Sequence, residues 1–229
     1  MRLLRSETGR LLFESHRGCE AGPADSNTWA AAEQGIAAGA DLVELDVQFS
    51  RDRDPFLRHH YSAPEGAWAW NFDWSPEHGE RLDAVLPRAR AAGVRLTLDL
   101  KSPFGGGYPL ADAVLELLEP EDEILVAASD HPLLVRIKEA RPQTPTRANL
   151  QSRPVDLAAV LRPAGCDAVG LSFDIANTAD VEAAHALGVA VCLAHIFTPD
   201  WQRVAALGVD VVCHGDPAAA RAGLGLAAC

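Results

Sequence analysis

The chain has 229 residues and a mean hydropathy near zero, with 48% hydrophobic and 23% charged residues, a composition that excludes disordered, collagen-like and coiled-coil classes. The charge balance is strongly acidic, a net of −12 from 20 basic and 32 acidic residues, so nucleic acid and anionic membrane surfaces are not expected partners. Any phosphate must then be held by local cations, of which only Lys101 and Lys138 are lysines.

Strand-like apolar runs alternate with alanine-rich segments of helical length, the signature of βα units around a parallel sheet. In chain order the predicted strands are 11–15, 41–49, 55–59, 94–100, 123–128, 146–150, 168–173, 190–195 and 210–213. The predicted helices are 28–38, 81–92, 110–118, 132–140, 155–161, 179–187, 201–207 and 217–222, several closed by a glycine. Residues 50–54 are too few for a parallel crossover, so 41–49 and 55–59 should form an antiparallel hairpin. Setting the return strand aside leaves eight βα repeats. The expected fold class is therefore α/β, a TIM (β/α)8 barrel with an antiparallel β-hairpin extension after the second strand, its site at the C-terminal strand ends. The whole chain, 1–229, reads as a single domain.

Five cysteines without a Cys-x-x-Cys pair fit reduced thiols, the start of the chain lacks a signal-type apolar run, and no stretch approaches ~20 apolar residues. A soluble, cytoplasmic protein without membrane insertion is expected.

Val43-Glu44-Leu45-Asp46-Val47 places Glu44 and Asp46 on one face of a barrel strand, which is costly unless a cation joins them; a hard divalent ion is the natural one. Asp99 and Lys101 repeat the device on the 94–100 strand. With the hairpin turn centred between Asp52 and Arg53, His59 faces Asp46, and the first strand delivers His16 and Arg17 to the same rim. A metal site with two histidines, an arginine and a lysine suits phosphodiester hydrolysis: the cations neutralise the phosphoryl oxygens and the histidines serve as acid and base.

His16-Arg17-Gly18, Asn27-Thr28, Glu44-Leu45-Asp46-Val47, the apolar run ending at His59, and Asp99-Leu100-Lys101 together resemble the glycerophosphodiester phosphodiesterase family, which is related to phosphatidylinositol-specific phospholipase C-like phosphodiesterases. The resemblance spans Leu11 to Pro217. It implies that Glu44, Asp46 and Asp99 bind Mg²⁺ or Ca²⁺, with Mn²⁺ as a third candidate. It further implies that His16 and His59 are the acid/base pair, that Arg17 and Lys101 hold the substrate phosphate, and that the products are an alcohol and glycerol 3-phosphate. The partner is a small-molecule phosphodiester.

The chain departs from the family pattern at Asp99, which stands for a glutamate, at Ser26 and His60, and at Ala194-His195-Ile196-Phe197, where a Trp-Thr-x-Asn is usual. Only residues 61–80 stand where the family often inserts a subdomain. That loop holds three of the five tryptophans; Trp70 and Trp74 read either as a packed lid or as an apolar pocket wall. His195 and His214 read either as rim contacts or as hydrogen-bonded structural groups. Two rival functions follow: a lysophospholipase D-like enzyme acting on a lipid headgroup, and a catalytically weak barrel that binds a phosphate ester.

Overall fold

A computed structural model describes residues 1–22, 24–62, 66, 68–101 and 108–227. The strands are β1 Leu12–Ser15, β2 Leu42–Phe49, β3 Pro55–Leu57, β4 Leu96–Leu100, β5 Ile124–Ala128, β6 Thr146–Leu150, β7 Ala168–Ser172, β8 Ala190–Ala194 and β9 Val211–His214. All pair parallel except β2 with β3, and β1 joins both β9 and β2. Eight parallel strands thus close a TIM barrel, with β3 appended to β2 as the predicted hairpin.

The helices are α1 Arg5–Thr8, α2 Trp29–Ala37, α3 Leu82–Ala92, α4 Tyr108–Leu117, α5 His131–Ala140, α6 Leu157–Ala164, α7 Thr178–His185, α8 Trp201–Leu207 and α9 Pro217–Gly223. Each of the last eight coincides with a predicted helix to within a few residues. Their starts are chemically marked: Thr28, Asp156, Asn177, Asp200 and Asp216 each accept a hydrogen bond from a first-turn backbone N–H, which supplies a partner for a donor the helix leaves open. The unpredicted α1 follows Leu3, whose buried side chain joins Leu12, Leu42 and Leu125 in the smaller core cluster at the barrel floor. That role needs a partner layer assembled from distant strands, so no local pattern announces it.

Strand alternation sorts the side chains. Val43, Leu45, Val47, Leu96, Leu98 and Leu100 join the larger core cluster with α-helical residues such as Leu82, Val85 and Leu86. Their neighbours Glu44, Asp46, Thr97 and Asp99 are buried on the opposite face. The barrel interior is therefore polar above an apolar floor.

The hairpin corrects the predicted register. Val47 pairs with Leu57, Gln48 with Phe56 and Phe49 with Pro55, one residue away from the arrangement that set His59 opposite Asp46. The cause lies in the turn. Ser50 N–H donates to Asp54 O, Arg53 N–H donates to Ser50 O, and Arg53 takes a left-handed φ of 67°, the pattern of a three-residue loop centred on Asp52. Strand β3 ends at Leu57 and Arg58 N–H donates to Asp46 O. His59 has by then left the ladder, so the one-residue slip does not turn it away from the barrel mouth.

Among the described residues no helix is long and apolar enough to cross a membrane, and Cys19, Cys166, Cys192 and Cys213 are free thiols; Cys229 lies outside the described residues.

Candidate active site

The site begins where β1 stops. Arg17, Gly18 and Asn27 all adopt positive φ, and the turn His16–Gly18 packs directly on α2: a Cβ on Gly18 would lie 2.6 Å from Ala32 N and 2.7 Å from the Cβ of Ala31. Only glycine fits there without displacing the helix. Arg17 N–H donates to Glu44 Oε2 at 2.9 Å, and Gly18 N–H donates to Glu44 O. Asn27 extends the ladder beyond β1 with its side chain, accepting from Asp46 N–H at 2.8 Å and donating to Asp46 O at 3.0 Å. The Asn-Thr motif thus fixes the backbone of β2 through Asn27 and starts α2 through Thr28.

Glu44, Asp46 and Asp99 converge on the interior face, with one ligand oxygen from each within 4.8 Å of the others. Lys101 Nζ lies 2.7 Å from Asp46 Oδ1 and 2.5 Å from Asp99 Oδ2, and Arg17 Nε lies 3.2 Å from Asp46 Oδ2. Two cations thus face three carboxylates. Burial, followed by repulsion from Asp46 and Asp99, pushes the Glu44 carboxyl well above its usual range. The Asp46 carboxyl is lowered: burial opposes ionisation, but Lys101, joined by Arg17, outweighs it. Burial likewise opposes the charge on Lys101, and Asp99, Asp46 and Glu44 outweigh it, raising the ammonium above its ordinary value. Asp46 Oδ2 is buried without a hydrogen-bond partner. An oxygen-only donor set, a buried carboxylate oxygen that pairs with Arg17 without a hydrogen bond, and an excess of negative charge all fit a hard divalent cation.

His16 and His59 stand on the rim of this cluster and line the same cleft as Arg17, Lys101 and the three acids. Glu20 Oε2 lies 2.7 Å from His16 Nδ1, which leaves Nε2 to the cleft. His59 is half-buried, and burial, reinforced by Arg17, Lys101 and His60 against the opposing pull of Asp46, lowers its pKa to about 4; the ring is neutral at pH 7.

The cleft also contains residues that no motif flagged. Beneath the acids, the fully buried Glu14 accepts from Arg147 Nη1 at 2.9 and 2.7 Å and from the Thr97 hydroxyl. Above that pair, Asn149 donates to Asp99 Oδ1 at 3.1 Å. The signal for these was present but mute: a Glu in a predicted strand, an Arg and an Asn two residues apart in another. Glu20 was equally silent, because its role depends on the turn after His16.

Of the other predicted contacts, His195 lines the cleft, with Nδ1 2.7 Å from Ser172 Oγ and its ring 6.5 Å from that of His16. Trp70 and Trp74 are not among the residues lining it. Trp70 stacks on Trp68 with centroids 5.1 Å apart, while Trp74 donates to Gly79 O and packs under Arg81. His214 turns to the backbone of Asp216 and the ring of Trp201. Residues 63–65 and 67 of the aromatic loop lie outside the described residues.

Residues 16–64 match the model of the glycerophosphoryl diester phosphodiesterase family, a span that holds His16, Arg17, Asn27, Glu44, Asp46 and His59. The chain's barrel is shared with solved structures: an Oleispira antarctica phosphodiesterase in complex with the product sn-glycerol-3-phosphate (TM-score 0.83, 19% identity, 96% of this chain and 99% of that chain). Others are glycerophosphodiester phosphodiesterases from Parabacteroides distasonis (0.80, 16%, 94% and 97%) and Thermotoga maritima (0.75, 18%, 92% and 96%). No curated protein matches the chain. Of the matched segment, His16, Arg17, Glu44, Asp46 and His59 line one cleft here, while Lys101, Asp99 and His195 reach it from outside that segment.

Proposed function

We propose that this chain hydrolyses a glycerophosphodiester of a small alcohol, with a divalent cation held by Glu44, Asp46 and Asp99 and with His16 and His59 as the acid/base pair. The match of residues 16–64 to the glycerophosphoryl diester phosphodiesterase family model supports the broader class, a phosphoric diester hydrolase. The observation that carries the finer reading is the convergence of three buried acids, two cations and two histidines on one rim of the barrel. The product bound in the Oleispira antarctica structure, sn-glycerol-3-phosphate, supports the glycerol phosphate half of the substrate.

A bound Mg²⁺, Ca²⁺ or Mn²⁺ would draw charge from the phosphoryl oxygens. Lys101 and Arg17 supply charge-assisted hydrogen bonds to the same oxygens. The neutral His59 ring can take a proton, and His16, gripped at Nδ1 by Glu20, presents its second nitrogen to the reacting group; between them the rings remove the proton of the attacking hydroxyl and protonate the leaving alkoxide. A second recess of about 280 Å³ shares His59, Asp99 and Lys101 with the catalytic cleft and continues past Tyr61 and Asp130. We assign it to the alcohol. Because Trp70 and Trp74 pack elsewhere, a small polar alcohol is favoured over an acyl-bearing lipid. The free thiols agree with a reducing, cytoplasmic setting, and the whole chain is taken as one catalytic unit.

The test is turnover of glycerophosphocholine and bis(p-nitrophenyl) phosphate with each of the three metals. Release of glycerol 3-phosphate with a metal is expected. Failure of every metal with both substrates overturns the proposal, and tight phosphate-ester binding without turnover selects the weak-binding barrel instead.

A further inference from the structure

Asn149 is the inner-face residue at the end of β6, two positions after Arg147, and its amide has no freedom to choose its orientation. Arg147 carries donors only, and its Nε donates to Asn149 Oδ1 at 3.1 Å. The oxygen of the amide must therefore face Arg147, which leaves the NH₂ group to donate to Asp99 Oδ1 at 3.1 Å. Arg147 is itself immobile, because its Nη1 bonds both oxygens of the fully buried Glu14. On the neighbouring strand Gly170 pairs with Asn149, and a Cβ there would sit 2.4 Å from Asn149 Oδ1. Glycine is the residue that leaves the amide its place. Asp99 is thus held at Oδ1 from the barrel core, while Oδ2 faces Lys101.

From this chain of contacts we propose that Asn149 is a positioning residue that sets the Asp99 carboxylate in its cation-binding orientation, with Arg147 and Gly170 fixing the amide. The inference rests on the cation reading given above. Partners of ligating carboxylates act by pre-orienting the ligand, and their loss weakens metal binding by about 10–100-fold. A residue of this kind alters how tightly the ion is held without touching the reacting atoms.

The experiment is calorimetric titration of the full-length protein with Mn²⁺ alone, for the wild type, Asn149→Ala and Gly170→Ala. The second variant leaves every polar group in the chain present and displaces the amide by contact. Both variants are expected to bind Mn²⁺ about 10–100-fold more weakly, to melt close to the wild type, and to regain kcat at saturating Mn²⁺. A merely structural residue would instead shift the melting temperature and leave the Mn²⁺ affinity alone. Wild-type affinity in both variants overturns the positioning role while leaving the cation site standing; absence of Mn²⁺ binding by the wild type overturns both.

Discussion

The barrel interior holds two buried charged layers separated by a single step along the strands, and they are built to opposite ends. In the lower one, Glu14 meets Arg147 and Thr97, so one anion faces one cation and both carboxylate oxygens are bonded. Attraction and hydrogen bonds outweigh burial, and the Glu14 carboxyl falls below its usual range. In the upper one, three acids share Lys101 and Arg17, and the Glu44 carboxyl rises. A balanced buried pair is a closed structural element, whereas a layer with surplus negative charge is an open site with an affinity to satisfy. Asn149 joins the two layers, through Arg147 below and Asp99 above.

The sharpest way to separate the layers is by what their mutants lose. His59→Ala, at the rim of the upper layer, should lower kcat by about 10²–10⁴-fold with little change in melting temperature. Steady-state kinetics alongside a thermal melt checks both halves, and wild-type turnover would remove His59 from the mechanism. Arg147→Met in the lower layer should show chiefly a loss of about 3–5 kcal/mol of stability, because Glu14 is left buried and unpaired. The measurement is the urea midpoint, and the Glu14→Leu, Arg147→Met double mutant should recover much of the loss.

A smaller effect separates the layers by ligand. Saturation to ~100 times Kd with Mg²⁺ or Mn²⁺ should stabilise the wild type by about 2.7 kcal/mol. Glu44→Gln should abolish that increment while raising metal-free stability by about 0.5–2 kcal/mol, since it relieves repulsion in an overcharged layer. A Glu44→Gln protein less stable than the metal-free wild type would contradict the surplus-charge account.

The mildest prediction concerns pH. Glu14 has a folded pKa below its unfolded one, so its contribution is complete above the unfolded carboxylate value, about 4.3, and is lost as pH falls through the depressed folded value. Wild-type stability should therefore carry this acid-side slope, at most ~1.4 kcal/mol per pH unit, and it should be missing from the Glu14→Leu, Arg147→Met double mutant in a denaturation series.

Much of the site was legible along the chain because its motifs are local. Glu44-Leu45-Asp46 declares its inward face by spacing alone, and His16-Arg17-Gly18 declares its place by following directly on the first strand. Other features were not legible. The hairpin register depends on one residue of turn geometry, and Arg53 in a left-handed conformation moved it. Trp70 and Trp74 read as lid or as wall, because aromatic bulk states that a ring will be covered and not by what.

The period-two and helical patterns by themselves determined eight βα units, the extra hairpin and the strand ends that carry the acids, because secondary-structure periodicity is a property of neighbours in sequence. Only the closed barrel decided that Glu14 would meet Arg147, 133 positions away, and that Asn149 would reach Asp99. Those contacts cross strands that share no local signal, and they exist because closure brings every inward side chain onto one axis, where each buried charge must find its partner.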